Sequence, residues 1–150
     1  MKPVIVGEHN PYGSSPEWAL YPSPPESAGG RLCRLVMGLS EDDYLRLFRR
    51  ANLLATARWS APAAREAAGK VDLSCGAVLL GSRVARAFGL AARGPFSVVD
   101  FDSFSGSGPI VLLPHPSGRC RAWNEPGAFD RAREALSDAF PEITFGRVPA

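Results

Sequence analysis

Three stretches of this chain are apolar without a break and then stop at a turn residue. They are Val4-Ile5-Val6 before Gly7, Val78-Leu79-Leu80 before Gly81, and Ile110-Val111-Leu112-Leu113 before Pro114. A strand with one wet face alternates apolar and polar residues. A strand buried on both faces does not, and that pattern belongs to parallel sheets covered by helices. The first and last runs lead into polar turns that carry the only two histidines of the chain, His9 and His115. In an open parallel sheet the loops at the carboxyl ends of the strands line the ligand crevice. Both histidines are therefore expected to face one cleft.

The intervening segments read as helices and further strands. Leu32, Leu35, Val36 and Leu39 share one face of a helix beginning near Gly30. Ser40 opens another, with Asp43 three residues on as in a capping box. Ala51–Leu54 reads as a short strand, Pro62–Ala68 as an alanine-rich helix, and 83–88 as a helix after the Val78 run. Phe96–Phe101 alternates as a strand would, 103–108 is a Ser/Gly loop, and 127–140 is a closing helix with Phe129, Ala132, Leu136 and Phe140 on one face. Residues 8–28, rich in proline and serine, form a connection too long to be ordinary, and long ordered loops are commonly functional. The alternation predicts an α/β fold, a three-layer α/β/α sandwich with a mostly parallel central sheet, in one domain over residues 1–150.

A chain of 150 residues with 45% hydrophobic content can bury a real core. No stretch approaches the ~20 apolar residues of a membrane span, and no secretory signal is expected. Cys33, Cys75 and Cys120 are odd in number, widely spaced and outside any CxxC, so reduced thiols in a cytoplasmic protein are expected rather than disulfides or a metal site. Net charge is +2, which neither demands nor excludes nucleic acid. Only Lys2 and Lys70 among the 17 basic residues are not arginine, a bias that suits phosphate contact and that genome composition also produces.

Five blocks in order carry a resemblance. They are Gly7-Glu8-His9-Asn10-Pro11-Tyr12-Gly13, Ser27-Ala28-Gly29-Gly30-Arg31-Leu32, Asn52-Leu53-Leu54, Val78-Leu79-Leu80-Gly81 and His115-Pro116-Ser117-Gly118. Together they resemble the motifs of the uracil-DNA glycosylase superfamily: G-E-A-P-G or G-Q-D-P-Y, A-G-x-L, an asparagine-bearing strand end, L-L-W-G and H-P-S. The resemblance spans roughly residues 4–124, and the H-P-S block after an apolar strand is its most specific part. The first block is one residue longer than either family form. It has no aspartate at the water-activating position, and the iron–sulfur cysteines of the G-E-A-P-G branch are missing.

The resemblance implies hydrolysis of a glycosidic bond in DNA. As the bond breaks, negative charge develops on the base, and a donor must meet it there; the resemblance assigns this to His115. Glu8, His9 and Asn10 compete to orient or activate the water. Asn52 would read the Watson–Crick edge of an extruded base, over Tyr21 as aromatic floor and against Tyr12 as a wall. Ser117 and Gly118, and also Gly29 and Gly30, would offer backbone amides to phosphate. Arg119 and Arg121 would hold the strand while Trp123 wedges into the vacated stack, although Trp123 packing on the last helix explains the same pattern.

The expected function is a monofunctional, monomeric DNA glycosylase acting on uracil or a related base, in single- or double-stranded DNA, with no metal or cofactor. Two other functions fit the same residues: a base-binding module that has lost water activation, and a hydrolase of small nucleosides.

Overall fold

The computed structural model describes residues 2–9, 15–56, 58–100 and 106–146. It is an α/β fold built on five strands: β1 (Val4–His9), β2 (Arg49–Leu54), β3 (Ala77–Leu80), β4 (Ser97–Val99) and β5 (Ile110–Leu113). Their order across the sheet is β2-β1-β3-β5-β4. The pairs β1/β2, β1/β3 and β3/β5 are parallel, with Val6 opposite Ala51 and Leu79, and Leu79 opposite Leu112. The edge strand β4 runs antiparallel to β5.

The three apolar runs form the sheet interior. Val4, Ile5, Val78, Leu79, Leu80, Val111 and Leu112 are all buried. Their side chains divide by the two-residue period between two cores. Ile5, Val78, Leu80, Val111 and Leu113 pack on one side with Leu32, Val36, Leu136 and Phe140. Val4, Val6, Leu79, Ile110 and Leu112 pack on the other with Ala64, Ala68, Val84 and Phe88. Helices thus cover both faces: α1 (Ala28–Arg31), α2 (Glu41–Leu47) and α5 (Ala128–Ala139) contribute to the first core, α3 (Ala61–Ala68) and α4 (Ser82–Ala87) to the second. This arrangement is compatible with a three-layer sandwich. Among the described residues no helix is long and apolar enough to cross a membrane.

Local chemistry accounts for the helix ends. Ser40 Oγ accepts from the Asp43 amide at the start of α2, and Ser60 Oγ accepts from Ala63 at the start of α3. Each satisfies an amide the helix leaves free. The helix expected from Gly30 differs from that expectation. It begins at Ala28, and from Leu32 to Val36 it widens into a π turn, with the Met37 amide bonded to the Leu32 carbonyl. Arg133, buried on α5, donates to the Leu35 and Val36 carbonyls beside that turn and to Gly146.

Three other expectations change. Of the strand expected at 96–101, Ser97–Val99 forms, at the sheet edge, and Phe101 lies outside the described residues. Residues 103–105 of the expected 103–108 loop lie outside the described residues. The long connection after β1 holds a 3-10 turn, Pro16–Trp18, that periodicity did not signal.

Candidate functional site

The site lies beyond the carboxyl ends of the strands, and its centre is the pair Glu8 and His115. Glu8 is next to last in β1, and His115 follows β5 by two residues. The strand between them, β3, ends at Leu80 and is followed by Gly81. A β-carbon built on Gly81 would lie 3.4 Å from Glu8 Oε2 and 3.5 Å from His115 Cβ, so the two side chains flank one point. Gly81 also holds φ at 92°, a region that strains any residue with a side chain. Glu8 and His115 together line two cavities, one on each side.

The first cavity, about 230 Å³, opens over β1 and β2 and is lined by Glu8, His9, Trp18, Tyr21, Asn52 and His115, among others. Both histidines therefore face one cavity. Asn52 stands opposite Gly7 in the β1/β2 register. A β-carbon on Gly7 would collide with Asn52 Oδ1 and sit 3.2 Å from Leu20 Cδ1, so only glycine lets the amide reach in. Asn52 Nδ2 and His9 Nδ1 are both buried, and neither has a hydrogen-bond partner among the described residues. Buried polar atoms are normally paired, and an unpaired one costs about 1–3 kcal/mol.

The outer wall of this cavity is braced. Leu20 holds φ at 51°, a left-handed conformation that costs a residue with a β-carbon about 1–2 kcal/mol. The buried Tyr44 hydroxyl donates to its carbonyl at 2.8 Å, and Arg50 donates to the Glu17 and Ala19 carbonyls. The Arg50 guanidinium also lies 5.4 Å from the centre of the Tyr21 ring, and Trp18 meets that ring edge-on at 5.1 Å. Trp18 is 43% exposed, the one large apolar side chain so exposed among the described residues. An exposed tryptophan at a cavity mouth is a contact surface more than a core residue.

His115 is fixed in one tautomer. The Ser117 amide donates to its Nδ1 at 3.2 Å, so that nitrogen carries the lone pair and the neutral ring holds its proton on Nε2. Burial, and secondarily the neighbouring His9, lower its pKa from the ordinary 6.5, against an opposing pull from Glu8. The ring is therefore a neutral N–H donor at pH 7. Its loop is clamped from both ends: Trp123 Nε1 donates to the His115 carbonyl and Arg31 Nε to the Pro116 carbonyl, each at 2.9 Å.

Those contacts reassign several residues. The Ser117 amide, expected to meet phosphate, is taken by His115. Trp123, expected as a wedge, is 5% exposed, stacked on Phe129 and edge-on to Phe96, because its indole closes the core beneath the His115 loop. The Gly30 amide is capped by Ser27 Oγ, and Gly29 is pressed against the Leu20 and Tyr21 carbonyls, so these glycines serve close packing. Gly118, Arg119 and Arg121 are exposed, and neither arginine forms an ion pair among the described residues. Asn10 and Tyr12 lie outside the described residues.

Sequence reasoning missed Trp18, Leu20 and Arg31. Arg31 meets the Pro116 loop across 85 positions of chain, a pairing no local pattern signals. It also missed the second cavity, about 310 Å³, which opens over β3 and β5.

Chemically the centre offers a carboxylate acceptor, a neutral imidazole donor and an unpaired amide, set above one small cavity with an aromatic rim. Neither a family model nor a curated protein matches the chain.

Proposed function

We propose that this protein is a DNA glycosylase of uracil-DNA glycosylase-like fold, hydrolysing the bond between deoxyribose and uracil or a related base. One observation carries the reading: the Asn52 amide, with a buried Nδ2 that has no partner among the described residues, shares a cavity with His115 and Glu8. A donor with no partner is stabilised by a ligand that brings an acceptor. Uracil presents O4 to such a donor, and its N3–H matches the amide oxygen.

In this reading the base is extruded into the first cavity, between the Tyr21/Trp18 rim and Asn52. The C1′–N1 bond breaks, the electron pair leaves with the base, and the anion gathers on a base oxygen. His115 Nε2–H donates to that oxygen as charge develops. Glu8 accepts a hydrogen bond from the water that adds to C1′ and takes its proton. The exposed Arg119 and Arg121 meet strand phosphates outside the cavity.

The test is incubation with oligonucleotides carrying different deaminated or modified bases, single- and double-stranded, followed by alkali cleavage. A cleaved strand with one lesion and not with its normal counterpart is the expected result. Intact strands throughout would leave a base-binding module. Release from free deoxyuridine as fast as from DNA would make it a nucleoside hydrolase.

A further inference from the structure

We propose that the second cavity is a second base subsite, which receives the unpaired nucleobase next to the target on the same strand. This rests on the reading above for the identity of the strand. The first observation is continuity. Glu8 and His115 form a wall common to both cavities, so a chain with one base in the first has the second within its next residue.

The second observation is the chemistry of the lining. Ala85, Pro95, Leu112, Pro114 and Ala122 make most of it apolar, and among the described residues no lysine or arginine lines it. A phosphate there would face the Glu8 carboxylate, and the nearest cation, Arg83, is already engaged, its Nη1 3.6 Å from Glu8 Oε1, so an anion gains little there. A neutral ring suits the walls. Its polar lining groups are Glu8, Ser82, His115 and Cys120. A carboxylate accepts and does not donate, so it selects rings with an amino N–H at their rim. Cytosine, adenine and guanine have one, and thymine does not.

The third observation is the alternation that follows His115. Cys120 and Ala122 line the cavity, while Arg119 and Arg121 beside them are exposed. One segment thus turns apolar and thiol side chains toward a ring and guanidinium groups toward solvent, where the phosphates joining the two nucleotides would run. A base seated in this cavity cannot be paired, so the subsite makes the protein selective for single strands or for sites opened on both nucleotides.

The test uses single-stranded oligonucleotides with one uracil, flanked on either side in turn by cytosine, by thymine or by a reduced abasic spacer. Base release and binding by fluorescence anisotropy are both measured. With cytosine on the productive side, wild-type protein is expected to bind and release about tenfold better than with the spacer, the scale of seating one base. Thymine falls between. Ala91 is an exposed residue at the wall of the cavity. Ala91→Trp is expected to remove the cytosine advantage while leaving the spacer strand at the wild-type rate. In Cys75→Ser protein the cytosine-flanked strand should also protect the Cys120 thiol from alkylation, and the spacer strand should not.

Equal behaviour of cytosine and spacer on both sides overturns the subsite. So does an Ala91→Trp variant that slows both strands alike. Flank-dependent binding without any base release overturns the excision reading and keeps the subsite. Release without flank dependence does the reverse.

Discussion

The two cavities share a wall and little else. The first is lined by an amide, two imidazoles and a pair of aromatic rings, and it holds buried polar atoms with no partner among the described residues. The second is the larger and is mostly alanine, proline and leucine. The difference follows from strand order. Over β1 and β2 the sheet carries polar residues toward its carboxyl ends, Glu8 and His9 at the end of β1 and Asn52 two residues before the end of β2. Over β3 and β5 it is followed by Gly81 and Pro114, and the covering turns bring alanines. An unpaired amide discriminates strongly among ligands, because every mismatch leaves it stranded. An apolar wall rewards any ring of suitable size. The amide side of the Glu8–His115 partition thus chooses most sharply, while the apolar side chiefly holds a ring, with the Glu8 carboxylate to favour one kind over another.

The partition itself gives the largest expected effect. His115→Ala removes the donor both cavities border. If base release is the activity, kcat/KM should fall by about two to three orders of magnitude, the usual cost of one transition-state donor. Strand binding should change far less, since phosphate contacts dominate affinity. A variant that loses binding and release in proportion would make His115 a wall residue and not a donor.

Asn52 belongs to the first cavity alone, so its variants test whether choosing and holding are separate. Asn52→Ala should slow uracil release by about 5–150-fold, corresponding to about 1–3 kcal/mol for a lost buried partner. Asn52→Asp keeps the size, removes the donor to O4 and offers an acceptor to the amino group of cytosine. It should lose uracil release and gain weak cytosine release from matched single strands. Neither change should alter the preference for the flanking base. Unchanged uracil release in both variants would assign base reading to other groups.

How much of this was legible beforehand also divides along the partition. The sheet interior was readable because burial on both faces leaves a local trace, the unbroken runs at Val4, Val78 and Ile110. His9, His115 and Glu8 were readable as candidates because each stands just past such a run, and Asn52 because it is the polar residue of the short strand expected at Ala51–Leu54. The supports were not. Trp123 and Trp18 are the same residue type in similar polar surroundings, yet one closes the core and the other is exposed at the rim. What separates them is a tertiary partner, Phe129 against Trp123. The Ser117 amide looked free for phosphate because the imidazole that takes it is a side-chain acceptor two residues away. The π turn at Leu32–Val36 is fitted by Arg133, nearly a hundred positions downstream.

Trp18 sharpens the comparison from the rim. It touches the first cavity and not the second. Trp18→Ala should weaken strand binding about tenfold, within the ~1–3 kcal/mol of one aromatic–base contact. The loss should be the same for cytosine-flanked and spacer-flanked strands. A loss confined to one of them would place the flanking base on this rim and take it out of the second cavity.

The smallest expected effect is a displacement along the pH axis, and it reads the partition directly. Burial lowers the His115 pKa below 6.5, His9 adds to this, and Glu8 opposes it. Protonation would also place a hydrogen on Nδ1, where the Ser117 amide now donates. At pH 6.5 an ordinary histidine is half charged, and His115 remains mostly neutral. The acid limb of kcat/KM from this group should therefore fall below pH 6.5. The sign for stability is set by linkage. Between 6.5 and the lowered folded value the unfolded chain binds the proton first, so stability is full above 6.5 and is lost as pH falls through that window. In Glu8→Gln the opposing carboxylate is gone, and the His115 limb should move further to acid even as the overall rate drops. An acid limb at or above 6.5, or one that moves toward neutrality in Glu8→Gln, would mean that His115 is solvated in the working protein. The two cavities would then be one open cleft.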